Sequence, residues 1–118
     1  METLNPQRVN SSEVVVDLQA VRDRIVSKFQ PRRIVLFGSR ARGEEGANSD
    51  LDLFVEMETD RRPPERTAEV TAIFGLRPCS LDVVVYAPEE VERLRGVAGT
   101  FLARIEAEGL TLYERDAP

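Results

Sequence analysis

Histidine and tryptophan are absent from this 118-residue chain, and cysteine occurs once, at Cys79. The first absence removes Ser-His-Asp and Cys-His nucleophile systems, His-ligated zinc and an imidazole general base. A lone cysteine builds neither a zinc nor an iron–sulfur site and closes no internal disulfide, so a reducing cytoplasm is the expected compartment. Long apolar runs are missing too. Ile34–Phe37 and Val83–Ala87 are the longest, far too short to span a membrane. Met1-Glu2-Thr3-Leu4-Asn5 has neither a basic start nor an apolar stretch, and no secretory signal is visible. Lysine is nearly absent: of 16 basic residues, 15 are arginine and only Lys28 is lysine. Arginine suits bidentate phosphate or carboxylate contacts, although genome composition produces the same bias. The net charge of −5 argues against broad electrostatic binding to nucleic acid. Catalysis, if present, must run on carboxylates, hydroxyls and arginines, with a hard metal ion on oxygen ligands.

What is there reads as one folded unit. The apolar share of 42% and charged share of 31% sit near globular values, which argues against disorder. Residues 1–11 read as a loose leader and 12–115 as the domain. Asn10 with Glu13 resembles a capping box. Val14, Leu18, Val21, Ile25 and Phe29 recur at steps of three and four, which predicts a helix over 12–29, stopped by Pro31. Arg33–Phe37 reads as a buried strand. Residues 39–45 suit a brief helical segment ended by Gly46, with Ala47-Asn48-Ser49 as a turn. Asp50–Met57 is a second strand, Thr59–Pro64 a solvated loop, and Glu65–Phe74 a helix with Val70, Ile73 and Phe74 inward. Ser80–Tyr86 is a third, strongly β-branched strand, with Cys79 beside it as a buried small hydrophobe. Pro88 opens a packed surface helix to Arg95, Gly96 and Gly99 break the pattern, and Phe101, Leu102 and Ile105 mark a last helix ending near Gly109. Leu110–Tyr113 suits a short final strand. The order predicts a single layered α/β domain, a small mixed sheet of three to five strands against helices.

Three features carry chemistry. Gly38-Ser39 stands at a strand-to-helix junction, where glycine admits a ligand close to the backbone and a helix N-terminus suits a phosphate. Ser39 adds a hydroxyl, and Arg40 and Arg42 lie close by; Arg42 pairing with Glu44 or Glu45 is an equal alternative. No Gly-Lys-Ser/Thr follows, so this is not a Walker loop. Alone, Gly-Ser is a weak signal.

Asp50-Leu51-Asp52 opens the second strand. Period-two geometry puts both carboxylates on one face, close enough to share divalent ions. Leu51, Leu53 and Val55 make the other face core, which leaves the aspartates facing the opposite surface. Asp82 sits just inside an apolar strand, where a charge must be paired, exposed or metal-bound. Beside Asp50–Met57 it would join the acidic cluster; on an edge strand it would be an exposed acid.

Together, Gly38-Ser39, ten intervening residues and Asp50-x-Asp52 resemble the nucleotidyltransferase signature of the polymerase-beta-like superfamily. Within it, Gly38-Ser39-Arg40-Ala41-Arg42-Gly43 and Ser49-Asp50-Leu51-Asp52-Leu53 are similar to the minimal nucleotidyltransferase (MNT) subfamily. The resemblance covers about residues 12–113, and it implies a single-domain nucleotidyltransferase fold. It implies that Gly38 and Ser39 hold the phosphates of a nucleoside triphosphate, with Arg40 and Arg42 as further contacts. Asp50 and Asp52 would bind two Mg²⁺ ions, with Mn²⁺ as the alternative, and Asp82 would ligate one and help activate the acceptor. The implied reaction moves AMP from ATP to an acceptor hydroxyl. In the resembled group, small proteins of this kind pair with HEPN-type toxins as antitoxins, in some systems by adenylylating the toxin. A 118-residue chain leaves no room for an acceptor domain, which agrees with a partner protein. Two other functions stay open: a non-catalytic module that masks a partner by contact, and a transferase for a small molecule such as an aminoglycoside, whose pocket would need a homodimer.

Overall fold

The computed structural model describes residues 17–43, 50–75 and 80–115. The leader, the Asn10/Glu13 pair, Val14, the turn at 47–49 and Cys79 lie outside them. In chain order the elements are α1 (Leu18–Phe29), β1 (Arg33–Phe37), β2 (Leu51–Glu56), α2 (Pro63–Ala72), β3 (Leu81–Tyr86), α3 (Pro88–Leu94), α4 (Phe101–Glu108) and β4 (Leu110–Glu114). The strands form one open mixed sheet in the order β3-β2-β1-β4. β1 runs antiparallel to both β2 and β4, while β2 and β3 are parallel.

Both faces of the sheet are covered. On one, Ile34, Leu36, Leu51, Leu53, Val55, Val83 and Val85 pack against Ile25 of α1 and Val70 of α2. On the other, Val35 and Phe54 pack against Val91 of α3 and Leu102 and Ile105 of α4. This corrects the expectation that the face carrying Asp50 and Asp52 is simply surface. Phe54, two residues past Asp52 and therefore on its face, is fully buried. The carboxylates occupy the uncovered end of a face whose remainder is core. Arg33 helps dock α4: its guanidinium reaches Glu56 at 3.1 Å and Glu106 at 3.2 Å, and lies 5.4 Å from the centre of the Phe54 ring.

Element boundaries differ where capping decides them. Asp17 is extended, and its carboxylate accepts from the Ala20 N–H at 3.1 Å. That cap starts α1 at Leu18, later than periodicity suggests. Conversely, α2 begins at Pro63 rather than Glu65. Proline fits the first helical position because its missing N–H is one no helical carbonyl would have accepted. Glu65 then reaches back to the Arg62 N–H at 3.3 Å.

The helical segment expected over 39–45 is not formed within 39–43, and 44–49 lie outside the described residues. Successive turns stand there instead. Ala41 and Arg42 N–H donate to the Gly38 carbonyl at 3.1 and 3.3 Å, and the Gly43 N–H donates to the Arg40 carbonyl at 3.3 Å. Gly38 and Gly43 both have positive φ, 81° and 75°, so the backbone leaves the right-handed helical region at either end of the four residues between them. Among the described residues, no helix is long and apolar enough to cross a membrane.

Candidate active site

Strand register assembles the site. In the parallel β2–β3 ladder Asp52 stands opposite Asp82, and in the antiparallel β1–β2 ladder it stands opposite Phe37. Facing residues on neighbouring strands project to the same side of a sheet. Asp50 precedes Asp52 by two and shares its side. Carboxylate oxygens of Asp50, Asp52 and Asp82 all lie within 4.8 Å of one another. Asp50 and Asp82 are exposed and Asp52 is half-buried. β3 is an edge strand and Asp82 is an exposed acid upon it, yet it also joins the cluster. The two alternatives for Asp82 were not exclusive.

Crowding shows in the electrostatics. The Asp52 carboxyl is held above the usual aspartate range, first by burial, then by the negative charges of Asp82 and Asp50, with Arg40 acting weakly the other way. Like charges gathered so closely are costly unless a cation neutralises them. Three convergent oxygen donors of this charge fit a hard divalent ion, and they lack the soft ligands that zinc or iron–sulfur clusters prefer.

Gly38 closes the site from β1. Its φ of 81° is a conformation that side-chain-bearing residues rarely adopt. A Cβ built on it would lie 3.1 Å from Cγ of Asp52 and closer still to Oδ2. Glycine is therefore required twice, for the turn and for the approach to Asp52. Gly38→Ala is expected to lower stability by about 1–3 kcal/mol and to displace the Asp52 carboxylate. Urea denaturation reads the first effect, and loss of Mg²⁺-induced stabilisation reads the second.

Ser39, Arg40 and Arg42 follow in the turn. Ser39 is half-buried, and its carbonyl accepts from the Arg42 N–H at 3.1 Å. The Arg40 Nε donates to the Asp50 carbonyl at 3.2 Å, pinning the start of β2 against the turn. Its charge also acts on Asp52. Arg42 is exposed, and Glu44 and Glu45, its alternative partners, lie outside the described residues.

Two aromatic residues beside the carboxylates were not singled out from sequence. Phe37 is the cross-strand partner of Asp52 and precedes Gly38. Phe101, on the first turn of α4, meets Phe37 edge to face with ring centres 5.4 Å apart. The sequence signal for Phe101 was present only as one member of an apolar helical face.

The family model described as a nucleotidyltransferase domain matches residues 18–90, more than half of the chain. No curated protein sequence matches it. Among solved structures, the chain is similar to the 1.40 Å crystal structure of a protein from Sulfolobus solfataricus named a "putative nucleotidyltransferase". The two share 19% identity with a TM-score of 0.57, over 83% of this chain and 78% of that one. At that identity the likeness speaks for the fold.

Proposed function

Because the chain belongs to the nucleotidyltransferase-domain family, we propose that it transfers a nucleoside monophosphate, AMP from ATP, to an acceptor hydroxyl. The observation that carries this reading is the convergence of Asp50, Asp52 and Asp82 within 4.8 Å, directly beside Gly38. Asp50 and Asp52 hold Mg²⁺, or Mn²⁺, and Asp82 completes the set toward the acceptor. Bound divalent ions neutralise charge on the attacking and leaving oxygens of an in-line displacement. Gly38 and Ser39 receive the triphosphate, whose approach is open because Gly38 has no side chain, and Ser39 offers a hydroxyl donor. Arg40 and Arg42 supply positive charge at the same turn. The acceptor hydroxyl gives up its proton toward the Asp82 carboxylate, its oxygen bonds to the α-phosphorus, the bond to the bridging oxygen breaks, and pyrophosphate departs. Such chemistry depends on positioning and charge rather than on a covalent nucleophile, which suits a chain without histidine.

The similarity of residues 38–43 and 49–53 to the MNT subfamily supports a protein acceptor, a HEPN-type toxin, with this chain as its antitoxin. The test incubates the protein with labelled ATP, Mg²⁺ and the product of the neighbouring gene. Label is expected on the partner with wild type and not with Asp50→Asn. Tight partner binding with no transferred label, unchanged by Asp50→Asn, would replace the enzymatic reading with masking by contact.

A further inference from the structure

The carboxylate face continues beyond Asp52 as aromatic surface. Phe37 is the partner of Asp52 across β1–β2 and is bonded to Gly38, so its ring lies on the side of the sheet that carries the three acids. Phe101 extends this surface outward. Its ring stands nearly perpendicular to that of Phe37, at 86°, and the residue as a whole is 38% exposed. The packing of α4 does not require an aromatic there. Leu102 and Ile105 form its inward stripe and are 1% and 2% exposed. Nor is the ring on a loose segment. The Thr100 side chain caps α4 by accepting from the Ala103 N–H at 3.1 Å and ties the preceding loop by donating to the Val97 carbonyl at 3.0 Å.

We propose that Phe101, backed by Phe37, is the platform on which the base of the nucleoside triphosphate stacks. This rests on the proposed function, which places the phosphates at Gly38-Ser39. A nucleotide anchored there by its charged end must lay its base on adjoining surface. The residue immediately before the phosphate turn is Phe37, and the exposed ring touching Phe37 is Phe101. Every base has a π-face, and an exposed phenyl ring held in place captures it without needing a hydrogen-bond code. The sequence offers no separate base-recognition motif, and stacking supplies affinity without one.

The platform is separable from the phosphate site, and so is its test. ATP and inorganic tripolyphosphate, each with Mg²⁺, are titrated calorimetrically into wild type, Phe101→Ala and Phe101→Tyr. Alanine is expected to weaken ATP binding by about tenfold and to leave tripolyphosphate binding unchanged, while tyrosine restores ATP. Equal ATP affinity in wild type and Phe101→Ala overturns the platform and leaves the proposed function standing. A parallel loss of both ligands also overturns it, because the ring then supports the fold rather than the base. Wild type that binds neither ligand overturns the proposed function, and the platform with it. Phe101→Trp gives an independent reading, since it introduces the sole tryptophan of the chain. Its fluorescence is expected to be quenched by ATP and not by tripolyphosphate; the same response to both contradicts stacking.

Discussion

Asp52→Asn is expected to cut nucleotidyl transfer by about 10³-fold while making the metal-free protein more stable. Both effects come from one placement. Asp52 is the half-buried member of the cluster, opposite Asp82 in the β2–β3 ladder and beneath the Gly38 backbone. Burial and two neighbouring charges penalise its ionised form. An amide of nearly the same shape removes the repulsion and should add roughly 0.5–1 kcal/mol, the scale of like charges facing each other across strands. Scanning calorimetry in chelator would then show a rise of about 2–5 °C in Tm. Added Mg²⁺ should reverse the order, since only wild type retains the full donor set. A lower Tm for metal-free Asp52→Asn would show that the carboxylate is held by favourable contacts instead.

Arg66→Ala is expected to cost about 3 kcal/mol, the largest stability loss that a single charged residue among those described should produce. Arg66 is 7% exposed on α2. Its guanidinium donates to the Arg61 carbonyl at 2.7 Å, to the Val85 carbonyl at 3.3 Å and to Glu90 Oε1 at 2.8 Å. The same Glu90 oxygen accepts from the Ala87 N–H at 2.8 Å, at the start of α3. One buried cation thus ties α2, the outer edge of β3 and α3 together. Thr67, the next residue, donates to the Val83 carbonyl at 3.0 Å. Two outward carbonyls of this edge strand are therefore occupied from within the fold, which blunts it against pairing with other chains.

Truncating Arg66 leaves Glu90 and Val85 without that donor. Chemical denaturation at neutral pH measures the loss, and an unfolding free energy unchanged within error would refute the role assigned to the ion pair. The pH dependence follows from Glu90, whose carboxyl is held below the usual range chiefly by its hydrogen bond from Arg66. A depressed folded-state pKa means that the ionised form is favoured by folding. The stabilisation is complete above the ordinary glutamate range and is lost as pH falls through that range toward the depressed value. The difference between wild type and Glu90→Gln should accordingly be constant from pH 6 to 8 and shrink on acidification below about pH 4.5. A difference that instead grew in acid would contradict the direction of the shift.

Much of the site was legible because its determinants are local. Glycine before serine after an apolar run, and two aspartates spaced by one on a strand, are patterns that backbone geometry converts directly into position. Asp82 was half legible. Its sequence context showed a charge in an apolar strand, but only the register that sets it against Asp52 joins it to the cluster. Residues 39–43 form turns rather than the helix their composition suggests, because glycine in the positive-φ region at 38 and at 43 favours separate turns. Phe101 reads from sequence only as part of one apolar helical face with Leu102 and Ile105, because helical spacing cannot tell an inward residue from one at the edge of the inward stripe.

Composition alone determined which chemistries were unavailable: with no histidine and one cysteine, acid oxygens are what remain to hold a cation. Outside the segment at 39–45, sequence pattern determined the order of helices and strands, because periodicity and capping act within a few residues. Tertiary structure decided the rest. Pairing β2 parallel to β3 and antiparallel to β1 gathers Asp50, Asp52, Asp82, Gly38 and Phe37 at one end of one face. It also covers the remainder of that face with α3 and α4. These relations depend on strand register, and register is set by burying both faces of the sheet at once, a condition that no local stretch of sequence expresses.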